Sequence, residues 1–308
     1  MKGNMGSMKH RGIVAALAVI AGLMIAAEKE NGGEGDSQDM AKRKQGGGEI
    51  RLIVRADDMG VCRAANEACI KAYREGIVRS VEVIVPGAWF PEAAKLVNEN
   101  PGLDVGVHLC LTSEWELCKW RPLTGGKSLV DENGYFYPMT GQMRGRPANT
   151  GFLDARPKIE EVEKELRAQI EMGKKHIKNL THLSVHMGTA TATGELRKLS
   201  ERLAEEYKLA LESKGAKGVR GFGGSGPSGE EKEKSLVAAL EKLEAGLWVL
   251  VEHPGLDTPE MRGLGHAGYW NVASDREGVT RAFTSEKVKK VIERRGIRLV
   301  SYGDVKGE

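Results

Sequence analysis

The sequence predicts a single α/β domain, a distorted (β/α) barrel of about seven parallel strands. Three observations carry this reading. Short runs rich in Val, Ile and Leu alternate with helical segments. The runs are apolar throughout instead of alternating with polar residues, as strands buried on both faces are. Glycine, 40 of 308 residues, runs well above the usual ~7% and supplies tight loops between elements. An open doubly wound sheet is the alternative arrangement of the same elements.

The first strand is read at Leu52 to Val54, ending in Arg55-Ala56-Asp57-Asp58, and a helix follows from Arg63 to Glu75 with Gly76 as its stop. Val81 to Val85 is the second strand and Pro91 to Asn98 the next helix. The third strand runs through Val105-Gly106-Val107-His108-Leu109-Cys110-Leu111. Ile159, Val162, Leu166 and Ile170 fall at helical spacing inside a helix from Lys158 to Lys178. Then come a strand at Thr181 to Met187, a helix at Glu195 to Lys214, a short strand at Gly218 to Arg220, a helix at Glu230 to Ala245 and a strand at Leu247 to Val251. A helix from Ser285 to Arg295 and a strand from Ile297 to Ser301 complete the series. Residues 113–152 have no regular pattern but carry Trp115 and Trp120 among Pro and Gly, and read as a lid-like insertion.

This domain occupies residues 49–308. Ahead of it, Lys2, Lys9 and Arg11 precede an uncharged apolar run from Gly12 to Ala27, shorter than the ~20 residues that span a bilayer comfortably. Residues 1–27 therefore read as a signal peptide, with an uncleaved membrane anchor or a misassigned start as alternatives. The expected location is periplasmic or extracellular. Residues 28–48 are polar and read as a flexible linker.

A net charge of +3 and an aromatic content of 5% give no basic surface or stacking platform for a nucleic acid. Cys62, Cys69, Cys110 and Cys118 match no zinc-knuckle or CxxC spacing and read as buried thiols. In an exported chain a Cys62–Cys69 or Cys110–Cys118 bridge is the alternative. Gly221 to Gly226 satisfies GxGxxG, but Pro227 follows and no apolar helix opens there, so no dinucleotide site is expected.

Chemistry in such folds sits at the C-terminal ends of the strands. Asp57 and Asp58, His108, His182 and His186, and His253 all fall at such ends. A carboxylate with two or three imidazoles is a ligand set for one catalytic divalent ion. The nitrogen donors favour zinc or another transition metal over magnesium. His182 and His186, four apart, share a face on either a helix or a strand, so their spacing discriminates little. Leu183 stands where the zincin motif has its Glu. Asp57 and Asp58 point to opposite faces of a regular strand, but where the chain turns both can reach one pocket. One then binds the ion while the other takes a proton from the bound water.

Ala56-Asp57-Asp58-Met59-Gly60, Gly106 to Thr112, Thr181-His182 through His186, and His253-Pro254-Gly255 together resemble the YdjC-like carbohydrate deacetylases, also called the ChbG/HpnK family. The resemblance covers about Glu49 to Val305. It implies a distorted barrel and metal-dependent removal of acetyl groups from N-acetylated sugars or oligosaccharides, by hydrolysis of a linear amide C–N bond. By motif, Asp58, His108 and His186 are the implied metal ligands, Asp57 the general base and His253 the acid. The family implies magnesium, where the ligand chemistry also suits zinc. Many members carry Asp where this chain has Ser184, and further histidines where it has Met187-Gly188-Thr189. That departure bears on the support of the ligands and on substrate choice. Hydrolysis of another bond (ester or phosphoester), or a non-catalytic glycan-binding barrel, are the competing functions. An envelope-associated protein with no catalytic role would not need histidines at the strand ends.

Overall fold

A computed structural model describes residues 48–305 apart from 213, 214, 223–225 and 227. The expected signal peptide or anchor at 1–27, and the expected linker up to residue 47, lie outside the described residues.

Seven parallel strands lie in the order β5-β4-β3-β2-β1-β7-β6, and an eighth, β8, pairs with β1. They are β1 (Ile50–Met59), β2 (Ser80–Val83), β3 (Asp104–Leu109), β4 (Leu180–Val185), β5 (Ala210–Leu211), β6 (Lys217–Gly218), β7 (Gly246–Glu252) and β8 (Arg298–Val300). The helices are α1 (Arg63–Arg74), α2 (Phe90–Asn98), α3 (Ile159–His176), α4 (Gly194–Tyr207), α5 (Gly229–Glu241), α6 (Pro259–Arg262), α7 (Val272–Thr284) and α8 (Glu286–Arg295).

The sheet is curled. Strands lie about 4.8 Å apart, so in a flat sheet β5 would stand roughly 19 Å from β1. Yet Arg55 on β1 reaches Glu212, next after β5, at 3.4 Å. The two ends of the sheet, β5 and β6, are joined by residues 212–216 alone, which also requires them to curve toward one another.

Alternation along the strands separates two environments. Leu52, Val54, Ala56, Val81, Val83, Val105 and Val107 belong to the main apolar core with the helices. Inside the barrel, Ile53, Val300, Tyr302 and Val305 form a small apolar plug with Leu247 and Val249 against it. Beside that plug the interior is polar and buried: Arg55, Ser80, Glu82, Asp104, His182 and Ser184.

The expected elements are present with ends shifted by up to about four residues, β4 closing at Val185 and α5 at Glu241, and with three larger differences. The first strand runs through its expected end at Arg55–Asp58 to Met59. The helix expected to run to Lys214 ends at Tyr207, where Lys208 turns left-handed (φ 58°), and the chain enters β5. The helices α6 and α7 lie in a stretch for which no element was expected. The expected strand around Gly218 to Arg220 is only Lys217–Gly218. The four cysteines are unpaired, three of them buried.

Residues 113–152 hold one 3-10 turn, Lys127–Leu129, and otherwise irregular chain. Trp115, Trp120, Leu129, Phe136 and Phe152 are buried in the main core. Backbone Glu116 N–H donates to Gly265 at 2.9 Å, and Thr140 Oγ1 donates to the Met187 carbonyl at 3.2 Å. The segment thus touches the loops that follow β7 and β4.

Candidate metal centre

Asp57 and Asp58 reach one pocket because β1 is bulged. Ala56 pairs with Val81 and Met59 with Val83, so three steps of β1 oppose two of β2. Asp58 takes up the irregularity at φ 72°, a left-handed conformation that a non-glycine residue adopts at a cost. His108 stands near the end of β3. His186 is the first residue after β4, where Met187 (φ 50°) and Gly188 (φ 68°) turn the chain sharply. His253 follows β7 directly. These residues line a cavity of about 410 Å³ with Arg55, Glu114, Trp115, Glu252, Tyr269 and Arg276 among its walls. That volume lies in the range of small-molecule sites.

One ligand atom each from Asp58, His108 and His186 lies within 4.8 Å of the others. Asp58 Oδ1 is 3.4 Å from His186 Nδ1 and 3.9 Å from His108 Nε2. Asp58 Oδ2 accepts from Arg276 Nη2 at 2.8 Å, while Oδ1 is buried with no hydrogen-bond partner. A buried, unpaired carboxylate oxygen costs free energy unless something binds it. Facing two imidazole nitrogens, it fits a divalent cation.

The nitrogens are presented by their other contacts. His186 Nε2 lies 3.0 Å from Glu114 Oε2; a carboxylate accepts, so Nε2 carries the proton and Nδ1 faces Asp58. His108 Nδ1 lies 2.7 Å from Ser184 Oγ, leaving Nε2 to the pocket.

Electrostatics favour an ionised carboxylate pair. Burial is the largest single influence and opposes the charge on Asp57, but Arg55, His108 and His253 together hold the carboxyl below its ordinary range. Arg55 does so through two hydrogen bonds, Nε to Oδ1 at 2.7 Å and Nη2 to Oδ2 at 2.8 Å. Burial likewise opposes Asp58, and His253, Arg276 and His186 together push it well below that range. Burial drives His108 down to about 3, so it is neutral and its lone pair available at any ordinary pH. Burial also opposes charge on His186, but Glu114 and Asp58 are among the groups that raise it well above the usual histidine value. Desolvation, with Arg276 assisting, outweighs the two aspartates and lowers His253, 41% of whose side chain remains exposed.

Of the residues singled out from sequence, Asp57, Asp58, His108, His186 and His253 converge here. His182 does not. It is fully buried one layer down in the barrel, with Nε2 2.6 Å from Glu82 Oε1 and its ring stacked on Tyr302 at 4.2 Å. Four strand residues span about 13 Å, so His182 and His186 share a face but not a site. Sequence reading missed Arg55, Glu82, Glu114 and Arg276. Arg55 was within sight, two residues before Asp57 and on the same strand face. Glu114 and Arg276 had no local signal.

A family model described as YdjC-like protein matches residues 51–294. The chain is 34% identical over 248 residues to a carbohydrate deacetylase of Thermus thermophilus, covering 73% of this chain and 85% of that one. It is 34% identical over 168 residues to a chitooligosaccharide deacetylase of Yersinia enterocolitica, covering 53% of this chain and 59% of the relative. The crystal structure of an Enterococcus faecalis protein named for cellobiose-phosphate cleavage superposes with a TM-score of 0.68 at 25% identity, over 83% of this chain and 99% of that one. With its motifs, fold and family match in agreement, the chain belongs to the YdjC-like family.

Proposed function

We propose that this protein is a metal-dependent carbohydrate deacetylase that hydrolyses the acetamide of N-acetylated sugars or oligosaccharides. The observation that carries this is the unpaired Asp58 Oδ1 facing His108 and His186, beside a second carboxylate locked by Arg55. The deacetylase names of the relatives supply the substrate class.

Asp58 Oδ1, His108 Nε2 and His186 Nδ1 would hold the ion, magnesium by family resemblance or zinc by donor chemistry. A divalent ion there supplies Lewis acidity, lowering the pKa of a water and polarising the acetamide carbonyl. Asp57 accepts the proton of the attacking water. Its pKa is held low by Arg55, so it is a weak base. Such a base suffices only for an acidified water, which makes the base and the ligand set interdependent. Arg55 also fixes the carboxylate plane, so proton transfer needs no reorientation.

The departing amine must be protonated, and His253 is the group we assign to that step. Its Nε2 lies 3.9 Å from Asp58 Oδ2 and it lines the cavity. Neutral in the resting pocket, its partly exposed ring takes a proton from solvent as negative charge grows on the tetrahedral oxyanion beside it. It passes that proton to the amine, while Asp57 returns the water proton to solvent afterwards. Residues 113–152 act as a lid-like wall, with Glu114 and Trp115 placed in the pocket. Residues 1–27 carry the chain out of the cytoplasm, toward an envelope or extracellular glycan.

The test is acetate release from N-acetylglucosamine oligomers by metal-stripped protein, then with Zn²⁺ or Mg²⁺ restored. Release that depends on the ion is expected. Metal uptake without acetate release would leave the centre standing and move the substrate to an ester or phosphoester. Neither uptake nor release would favour a glycan-binding barrel.

A further inference from the structure

We infer that Glu82 and Ser184 are positioning residues that set the tautomer of His108 and so present its Nε2 to the ion. This rests on the metal reading above.

Ser184 is fully buried on β4, opposite His108 in the β3–β4 register. Its hydroxyl has one proton and two neighbours that compete for it, His108 Nδ1 at 2.7 Å and the Glu82 carboxylate, at short range. An ionised carboxylate only accepts, so the Ser184 proton goes to Glu82. The Ser184 oxygen is then left as the acceptor facing His108 Nδ1, which must carry the hydrogen. An imidazole with hydrogen on Nδ1 has its lone pair on Nε2, the atom nearest Asp58 Oδ1.

The contacts of Glu82 agree with its role as the acceptor. Glu82 is completely buried, and its Oε1 is 2.6 Å from His182 Nε2. Burial disfavours charge on His182, but Glu82, with Asp104 contributing, raises it above the ordinary histidine range. The charge of Glu82 also helps to raise Arg55. With Oε1 engaged by the His182 ring, Oε2 is the oxygen left to accept from Ser184.

The fold makes room for this pair. In register, Gly106 lies between Glu82 on β2 and His182 on β4. A Cβ at position 106 would collide with both Glu82 Oε2 and His182 Nε2. The Glu82 carboxylate lies one link back from His108, and the Ser184 hydroxyl transmits its orientation to the imidazole.

The experiment uses full-length, metal-stripped protein and Zn²⁺ as the probe, in wild type, Glu82→Gln, Ser184→Ala and Ser184→Thr. Two quantities are read: Zn²⁺ affinity by titration calorimetry, and the His108 tautomer by ¹⁵N NMR of labelled imidazoles. Wild type should show His108 protonated at Nδ1. Ser184→Ala and Glu82→Gln should bind Zn²⁺ about 10–100-fold more weakly. Ser184→Thr, which keeps the hydroxyl, should stay within about threefold of wild type. Thermal unfolding identifies any variant that has lost its fold. Folded Ser184→Ala and Glu82→Gln proteins with wild-type affinity would overturn the inference, as would His108 protonated at Nε2 in wild type. Wild type failing to bind Zn²⁺ would instead overturn the metal reading, and this role with it.

Discussion

Arg276 Nη2 donates to Asp58 Oδ2 at 2.8 Å and leaves the other oxygen of the same carboxylate without a partner. The two oxygens of one buried side chain therefore have different duties. Oδ2 anchors Asp58 to α7, and Oδ1 is directed at His186 and His108. A guanidinium is suited to the anchor because its planar donors fix orientation as well as charge. Arg276 is in turn held over the Trp115 ring at 5.1 Å, which ties the insertion to the same carboxylate.

Replacing Arg276 with Met should strand a buried negative charge. We expect the metal-free protein to lose about 3–5 kcal/mol of stability, as when one partner of a buried pair is removed. The double variant Asp58→Asn with Arg276→Met should be more stable than Arg276→Met alone, because no charge is left uncompensated. Urea unfolding of both checks this. Equal stability of the single and double variants would show that the pair is not coupled.

Gly106→Ala should be destabilising beyond its size. One added methyl meets the Glu82 carboxylate and the His182 ring from both sides. Overpacking of this kind costs about 1–3 kcal/mol, and disturbing the buried pair adds to it. Denaturant unfolding should show a loss of at least about 2 kcal/mol. A loss below about 0.5 kcal/mol would mean that the layer can relax around a Cβ.

Much of the site was legible because its residues carry local signals. Asp57 and Asp58 interrupt an apolar run, and His108, His186 and His253 sit where apolar strands end. The helix stop at Lys208 had no glycine to announce it, so α4 was read too long and β5 was overrun. The polar barrel interior was harder to see. Glu82 and Ser80 lie on a strand whose alternate residues are valines, and a four-residue strand does not reveal which face carries the core. Arg276 comes from α7, more than 200 residues away in sequence from the carboxylate it orients. His182 misled because strand spacing gives a shared face, and only the depth of each layer separates a ligand from a structural histidine.

Glu252 gives a prediction in pH. It ends β7 at the cavity wall, and burial, with Asp275 and Asp57 adding, pushes its carboxyl up to about 7, against the Lys232 ammonium. Its unfolded value is about 4.3. Between those values the folded protein binds more protons than the unfolded chain, so this group's contribution falls as pH rises from about 4.3 to 7 and is flat above. Glu252→Gln removes that loss. Its melting temperature should exceed wild type by a few degrees at pH 8 and match it near pH 4. A difference that does not change with pH would contradict the assignment.

The most direct test compares Asp57→Asn with His108→Ala, measuring Zn²⁺ uptake and acetate release on the same samples. Asp57→Asn should bind the ion and lose at least about 100-fold in turnover, because it removes the base and keeps the ligands. His108→Ala should lose the ion and the activity together. Near-normal acetate release by Asp57→Asn would contradict the central claim that Asp57 takes the proton of the attacking water.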